Sequence, residues 1–416
     1  MILDLFRQAP WLTAERIRRF ALVFALCALA MLAFDFWTHA GPGHVDAHGE
    51  QLARDFVNYW SGARIADQGH ATAAYDINGF LAYQRGLTAP NAEFKWYGYP
   101  PSAMLLTLPL GLLAYVPALA LWLVGGALIG AWMLRAGMGW RMALLAQVAT
   151  PAAFLNAYAG QNGQYSAVLL AGGVMLLDRR PWIAGVLFGL LSYKPQLGLL
   201  IPVALLAAGQ WRAFLSAGVA VVGLGLASGL LLGWDAWAAF IAHTPLHRAL
   251  LEHGESFWPR MPSLYAAARL LGLGNLAAYG VQALSALGAV VAVFLAWRSR
   301  APTPVKGAAL AAGAFLASPY AWDYDMVVLI FAALWMWSDG AARGFRPWEK
   351  LTTAAVIVSP LLAPAIAGAI HIQPTPILLW TWLILIVRRA RAMPAGQAAA
   401  TPIPAPSQAG AEFAGH

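Results

Sequence analysis

Residues 20–37 read FALVFALCALAMLAFDFW, a run in which Asp35 is the one charged side chain. A membrane-crossing helix needs about 20 predominantly apolar residues, and this run with its flanks meets that length. Arg7, Arg16, Arg18 and Arg19 precede it, and Phe34, Asp35, Phe36 and Trp37 close it with the aromatic and polar character of a membrane interface. No small-x-small cleavage site follows, so the run reads as an uncleaved first helix with residues 1–19 in the cytoplasm.

The rest of the chain repeats this character. Hydrophobic residues make up 60% of the 416 residues, charged residues 11%, and the mean hydropathy is +0.62. A soluble protein of this length carries about a quarter charged residues. The fold class that follows is an all-α polytopic integral membrane protein. The single cysteine, Cys27, lies inside the first apolar run and leaves no disulfide or thiolate metal site. The net charge of +8 belongs to arginines of cytoplasmic loops and does not indicate a nucleic-acid partner.

After the first helix, 39–99 is a polar loop too hydrophilic to span. Within it Leu52 to Ala66 has helix-like apolar spacing and reads as an amphipathic helix in the interface plane. Tyr97-Gly98-Tyr99-Pro100-Pro101 marks re-entry, with the prolines at a helix start. The region 102–134 is broken by Pro109 and Pro117 and crosses once or twice. Further apolar segments lie at 142–158, 164–177, 182–192, 195–208, 213–232, 276–297, 305–320, 324–337, 352–370 and 376–387, for a bundle of about 11–13 transmembrane helices. A single crossing at 102–134 places Arg135, Arg141, Arg179-Arg180, Arg212, Arg298 to Lys306, Arg343 to Lys350 and Arg388 to Arg391 inside. The 39–99 loop, the 233–262 loop, Gly160 to Gln164, Ser192 to Gln196 and Ser318 to Asp325 then share the outer face. The segment 20–390 forms one membrane domain, and the Ala, Pro, Gly and Gln composition of 391–416 reads as a disordered cytoplasmic tail.

Polar side chains in such a chain are worth weighing singly, since only 18 residues are Asp or Glu. Asp55 sits in the first outer loop with Tyr59 one helical turn later on the same face. Lys194 interrupts the apolar stretch 182–208 and precedes Pro195, the place where two half-helices meet. A lysine at membrane depth is costly and usually functional, although a snorkelling lysine at a helix end is the plainer account. Asn162-Gly163-Gln164 offers amides to sugar hydroxyls or phosphate, or simply caps a helix. Ser318-Pro319-Tyr320-Ala321-Trp322-Asp323-Tyr324-Asp325 carries two carboxylates among aromatics. The aromatics suit a sugar or an interfacial belt, and the belt leaves Asp323 and Asp325 unexplained. His243 and His247 in the 233–262 loop are spaced as a metal pair on a helix but lack a third ligand, so no metal is expected. A P-loop, Gly-x-Ser-x-Gly and His-Glu-x-x-His are absent from the sequence.

Arg54-Asp55-Phe56-Val57-Asn58-Tyr59-Trp60-Ser61-Gly62-Ala63-Arg64, followed by Tyr75-Asp76, resembles the first outer loop of glycosyltransferase family 87 proteins. Tyr99-Pro100-Pro101 leading to Pro109-Leu110, the Asn162-Gly163-Gln164 turn, the Lys194 segment and Ser318-Pro319 follow in the family's order, so the resemblance covers roughly 20–390. It implies a GT-C-like helical bundle in the plasma membrane with an extracytoplasmic active site. Such an enzyme moves mannose or another hexose from a polyprenyl-phosphate donor to a lipid or glycan acceptor with inversion, without a cofactor. Asp55 would be its catalytic base, and Tyr59, Arg64, Asn162, Gln164, Lys194, Arg260, Tyr320 and Asp323 its substrate-binding residues. One departure stands out: family members often carry a histidine after the Ser-Pro pair, where this chain has Tyr320, Trp322 and Asp323. A transporter or flippase of lipid-linked sugars is the alternative, favoured by broken helices and disfavoured by the large aromatic first loop and the lack of an internal repeat. Ligase- or polymerase-like enzymes place their main outer loop late in the chain instead.

Overall fold

The computed structural model describes residues 2–255 and 257–392. Beyond Ala392, the tail expected over 391–416 lies outside the described residues. The described chain is all-α, with nineteen α-helices joined by turns and short 3₁₀ segments. A short α1 (Ile2–Gln8) leads into α2 (Ala14–Thr38). The first loop carries α3 (Phe56–Asp67) and α4 (Ile77–Leu87). Next come α5 (Pro101–Gly111), α6 (Tyr115–Val148), α7 (Pro151–Tyr158) and α8 (Gly163–Leu176). A broken stretch follows, α9 (Pro181–Leu190), α10 (Pro195–Gly198) and α11 (Ile201–Ala207), then α12 (Trp211–Leu232) and α13 (Trp234–His253). The chain ends with α14 (Leu264–Leu270), α15 (Asn275–Arg298), α16 (Thr303–Ala317), α17 (Leu329–Arg343), α18 (Glu349–Ile370) and α19 (Thr375–Arg391).

Six helical segments are long and apolar enough to cross a membrane: α2, α6, α12, α15, Asp323–Arg343 and α18. Several of the other expected spans are shorter apolar helices, among them α5, α8 and α16. The region 102–134 resolves into the 11-residue α5 and the start of the 34-residue α6, which bends at Gly139 with φ +74°. At 1.5 Å per residue α5 is about 16 Å long, too short to span.

Lipid-facing and core-facing helices differ in what they expose. Along α2, Phe20, Val23, Leu26, Leu29 and Phe34 point outward, and α12 does the same with Val219, Leu226, Leu230 and Leu231. By contrast α16 is buried on every face from Gly307 to Ala317. Its alanines and glycines let α8, α15, α17 and α19 close around it. This central helix delivers Ser318 and the segment behind it to one end of the bundle.

The helix expected to lie in the interface plane is instead internal. Phe56 to Ala63 of α3 are all buried, including Asn58 and Ser61, because the helix is clamped against α5 and the 3₁₀ turn Ala71–Tyr75. Local spacing alone does not distinguish one wetted face from two covered ones. The amphipathic helix of this loop is α4, which buries Phe80 and Gln84 and leaves most of its other residues at least partly exposed.

The break between α9 and α10 is held by the packing of α9 against α12. A Cβ added at Gly185 would lie 1.9 Å from Ser216 Oγ and 2.2 Å from the Ala213 carbonyl oxygen, so only glycine permits this approach. Gly185→Val is expected to cost about 1–3 kcal/mol and to lower the melting temperature of the detergent-solubilised protein. Gly218→Val on α12, where an added Cβ meets nothing within 4 Å, serves as the control and is expected to leave it unchanged.

Candidate active site

All five of the polar segments meet around one cavity of about 800 Å³. The first loop supplies Arg54, Asp55 and Asn58, the segment before α5 supplies Lys95, Trp96, Gly98, Tyr99 and Pro100, and the turn after α7 supplies Gln161. The helix break supplies Tyr193, Lys194 and Gln196. The chain after α16 supplies Tyr320, Trp322 and Tyr324, and the segment expected as the 233–262 loop, which is mostly the helix α13, adds His247 from that helix and Arg260 from the turn after it.

Asp55 is presented by an unusual turn. Ala53 and Arg54 both adopt positive φ, +54° and +32°, a conformation costly for residues with a side chain. The turn persists because it is gripped on two sides. The Asp55 amide donates to the Ala159 carbonyl at 3.1 Å, and Tyr115 donates its hydroxyl to the Leu52 carbonyl at 2.6 Å. Gly160, with φ +63°, permits the approach, since a Cβ there would sit 2.6 Å from the Ala53 carbonyl oxygen. Arg54 turns away from its neighbour Asp55. It donates to Asp35 of α2 at 2.7 Å and to the Tyr158 hydroxyl, with its guanidinium 3.6 Å from the centroid of the Tyr158 ring.

The Asp55 carboxylate accepts one side-chain hydrogen bond, from Gln161 Nε2 at 2.7 Å. Tyr59 donates to Gln161 Oε1 at 2.7 Å and lies 2.6 Å from the Tyr99 hydroxyl. Asp55 thus rests on a neutral amide, while each cation of the cavity has its own carboxylate. Lys194 donates to Asp325 Oδ1 at 2.5 Å and to Asn162 Oδ1 at 2.7 Å, with both charged partners essentially fully buried. Arg260 grips Asp323 with Nε at 2.9 Å and Nη2 at 3.0 Å, a bidentate fork. Lys95 lies 3.2 Å from both Glu50 and Glu93. Burial works against the Lys95 ammonium, but Glu50, Asp55 and Glu93 outweigh it and hold the group above the ordinary lysine value.

His247 Nε2 donates to the Gly98 carbonyl at 2.8 Å. Burial pushes this imidazole below the ordinary histidine value, so it is neutral at pH 7 and its Nδ1, which has no partner among the described residues, is an acceptor. It stands 5.9 Å from the Tyr320 ring centroid and 4.7 Å from that of Trp96. Among the described residues no group of three or more His, Cys, Asp or Glu is arranged to hold a metal ion.

The residues singled out from the sequence divide into three groups. Asp55, Lys194, Arg260 and Tyr320 line the cavity. Tyr59, Asn162 and Asp323 stand behind it and hold lining residues in place. Arg64 and Gln164 lie elsewhere. Arg64 donates to the Gly111 carbonyl at 3.2 Å, and Gln164 is buried against α6, donating to the Gln147 carbonyl at 2.8 Å. The pair Asp323 and Asp325 now has an explanation, since each neutralises a cation that the cavity wall would otherwise bury alone. Gln161, Lys95 and His247 were not anticipated. Gln161 belongs to the recognised polar turn, but which of several consecutive polar side chains faces the cavity depends on the φ of Gly160.

Removing one partner of a buried ion pair costs more than replacing both. Lys194→Ala leaves Asp325 uncompensated and is expected to destabilise the protein by about 3–5 kcal/mol. Lys194→Met combined with Asp325→Leu is expected to recover most of that loss, as read from melting temperatures in detergent.

Comparison with curated proteins and with solved structures returned no match for this chain. The family model described as glycosyltransferase family 87 matches residues 96–319, more than half of the chain. The matched span runs from the cavity-lining Trp96 to Pro319 at the end of the central helix, taking in the helix break at Lys194 and Arg260, while Asp55 and Tyr320 to Asp325 flank it. This chain is a multi-pass membrane protein that belongs to glycosyltransferase family 87.

Proposed function

We propose that the protein is a GT-C-type transferase that moves a hexose, mannose or a close relative, from a polyprenyl-phosphate donor to a lipid or glycan acceptor. The reaction inverts the anomeric centre, and the site opens on the extracytoplasmic side of the plasma membrane. The observation that carries this reading is Asp55: a carboxylate at the cavity wall, bound by an amide and not by a cation. Such a group is available to accept a proton. The carboxylates of Asp323 and Asp325 are already committed to Arg260 and Lys194.

In the reaction, Asp55 takes the proton of the acceptor hydroxyl as its oxygen forms the new bond to the anomeric carbon. The bond from that carbon to the phosphate oxygen breaks, and the pair of electrons leaves with polyprenyl phosphate. No acid is needed if a cation meets the departing charge. Arg260 is better placed for this than Lys194. It is partly exposed and Nη1 has no partner among the described residues, whereas the Lys194 ammonium is buried between Asp325 and Asn162. Trp96, Tyr320 and Trp322 supply ring faces on which a sugar stacks. Bilayer anchoring of the donor adds to the rate by positioning it.

The outer-face orientation is supported by the distribution of basic residues, with Arg135, Arg141, Arg179, Arg180 and Arg388 to Arg391 assigned to the opposite side from the cavity segments. The helix break at Lys194 that would suit a transporter is fastened by the pair with Asp325, 131 residues away. A general base contributes about 10²–10⁴-fold to rate. Asp55→Asn is therefore expected to lower transfer of labelled mannose from polyprenyl-phosphate mannose, in membranes with equal expression, by that factor. Equal transfer by mutant and wild type would remove Asp55 as base, and transfer by neither would point to a different lipid-linked sugar.

A further inference from the structure

Gln161 makes the one side-chain hydrogen bond to Asp55 among the described residues, yet its amide makes no charge of its own available to substrate. Its side chain is almost wholly buried, with 5% of the residue exposed, at the wall of the cavity. An amide in such a place has two orientations, and here the surroundings select one. Tyr59 donates to Oε1 at 2.7 Å and the Tyr99 hydroxyl lies 3.2 Å from the same atom, so Oε1 faces the two phenols. Nε2 is thereby turned onto Asp55 Oδ2 at 2.7 Å. Asp55 Oδ1 has no hydrogen-bond partner among the described residues.

We infer that Gln161 is a positioning residue for Asp55, fixed by Tyr59 and Tyr99, that occupies Oδ2 and leaves Oδ1 as the oxygen presented to the acceptor hydroxyl. This rests on the reading of Asp55 as the base. The backbone supports the same role: the Asp55 amide is bonded to the Ala159 carbonyl, two residues before Gln161. The base and its positioner are thus tied by main chain as well as side chain, and the turn at Gly160 holds both. A hydrogen bond from a neutral donor orients a carboxylate without cancelling its charge. A lysine or arginine in the same place would do the first but would weaken the group as a base. The charged and titratable groups that interact with Asp55 from the packed elements are Lys95, Arg260, Tyr59, Tyr115, Tyr320 and Tyr324, while its chain neighbour Arg54 turns away, and the three cations are each paired to another carboxylate.

The test compares wild type, Gln161→Met, Gln161→Glu and Asp55→Asn in detergent, measuring kcat and KM for polyprenyl-phosphate mannose. Gln161→Met keeps the length of the side chain and removes the donor. It is expected to lower kcat roughly ten- to a hundredfold, the scale of one hydrogen bond to a charged group, with KM for the donor little changed. Gln161→Glu keeps the shape and the acceptor for Tyr59 but replaces the donor to Asp55 with a second carboxylate, and it is expected to lower kcat at least as far, again with KM for the donor little changed. This second variant carries the test if the first fails to fold. A kcat left at its wild-type value, or a loss confined to KM, in a folded variant with Asp55→Asn inactive would overturn the positioning role alone. Full activity in Asp55→Asn would overturn the reading of Asp55 as base and the role of Gln161 with it.

Discussion

A charge placed inside this bundle has to be met by its opposite, and the architecture of the cavity follows from that constraint. Taking an ion out of water costs several kcal/mol even after relaxation, so Lys194 at the helix break is possible because Asp325 and Asn162 reach it from elsewhere in the chain. The pair joins the α9–α10 break to the end of the central helix α16, and Arg260 with Asp323 joins the turn after α13 to the same place. Arg54 with Asp35 does so for the first loop and the otherwise lightly packed α2. Each tie joins one element of the chain to another. Their common product is a cavity whose walls come from distant parts of the sequence yet are fastened together.

At the opposite end of α17 the same rule builds a structural knot instead of a site. Arg389 is buried and reaches Asp339 Oδ2 at 2.5 Å and Glu349 Oε2 at 2.6 Å, and its remaining nitrogen meets the Asp339 and Gly344 carbonyls. Every nitrogen of that guanidinium is bonded to the chain itself. Around Asp55 the arrangement differs, because the carboxylate is held by a neutral amide and not by a cation. A buried carboxylate tied to a guanidinium or ammonium is a fastening, whereas one held by an amide at a cavity wall is the candidate site here.

Much of this was legible before the fold was known, and the limits have physical causes. Composition and apolar runs show a polytopic helical protein because lipid leaves a chain few alternatives. Polar interruptions such as the Gln161 turn, Lys194 and Ser318 to Asp325 are conspicuous for the same reason, and all of them reach one cavity. What spacing does not encode is the partner. Nothing local to Lys194 announces Asp325, and nothing in Arg64 or Gln164 distinguishes a cavity residue from one bonded to a carbonyl of a neighbouring helix. The burial of α3 escaped for a related reason: Ser61 is covered by other parts of the first loop, and Asn58 turns to the wall of the cavity. Gln84 donates to Ser61 Oγ across that contact at 3.1 Å, so a polar residue there marks a polar contact and not water.

The charge balance of the cavity also bears on how a phosphate-linked donor would be held. Arg54, Lys95, Lys194 and Arg260 line it, and Asp35, Glu50, Glu93, Asp325 and Asp323 already compensate them. Adding Asp55, carboxylates outnumber cations. A donor carrying a phosphate therefore gains little from net attraction and must rely on directed contacts, chiefly the unpartnered nitrogen of Arg260, and on ring stacking against Trp96, Tyr320 and Trp322. On the proposed reading this arrangement has a kinetic merit. A site that bound polyprenyl phosphate as tightly as its cations would allow in isolation would hold the product after transfer, and uniform binding of substrate and product adds nothing to turnover. With the cations already satisfied, stabilisation is reserved for the moment when negative charge grows on the departing phosphate oxygen beside a guanidinium that its carboxylate keeps oriented.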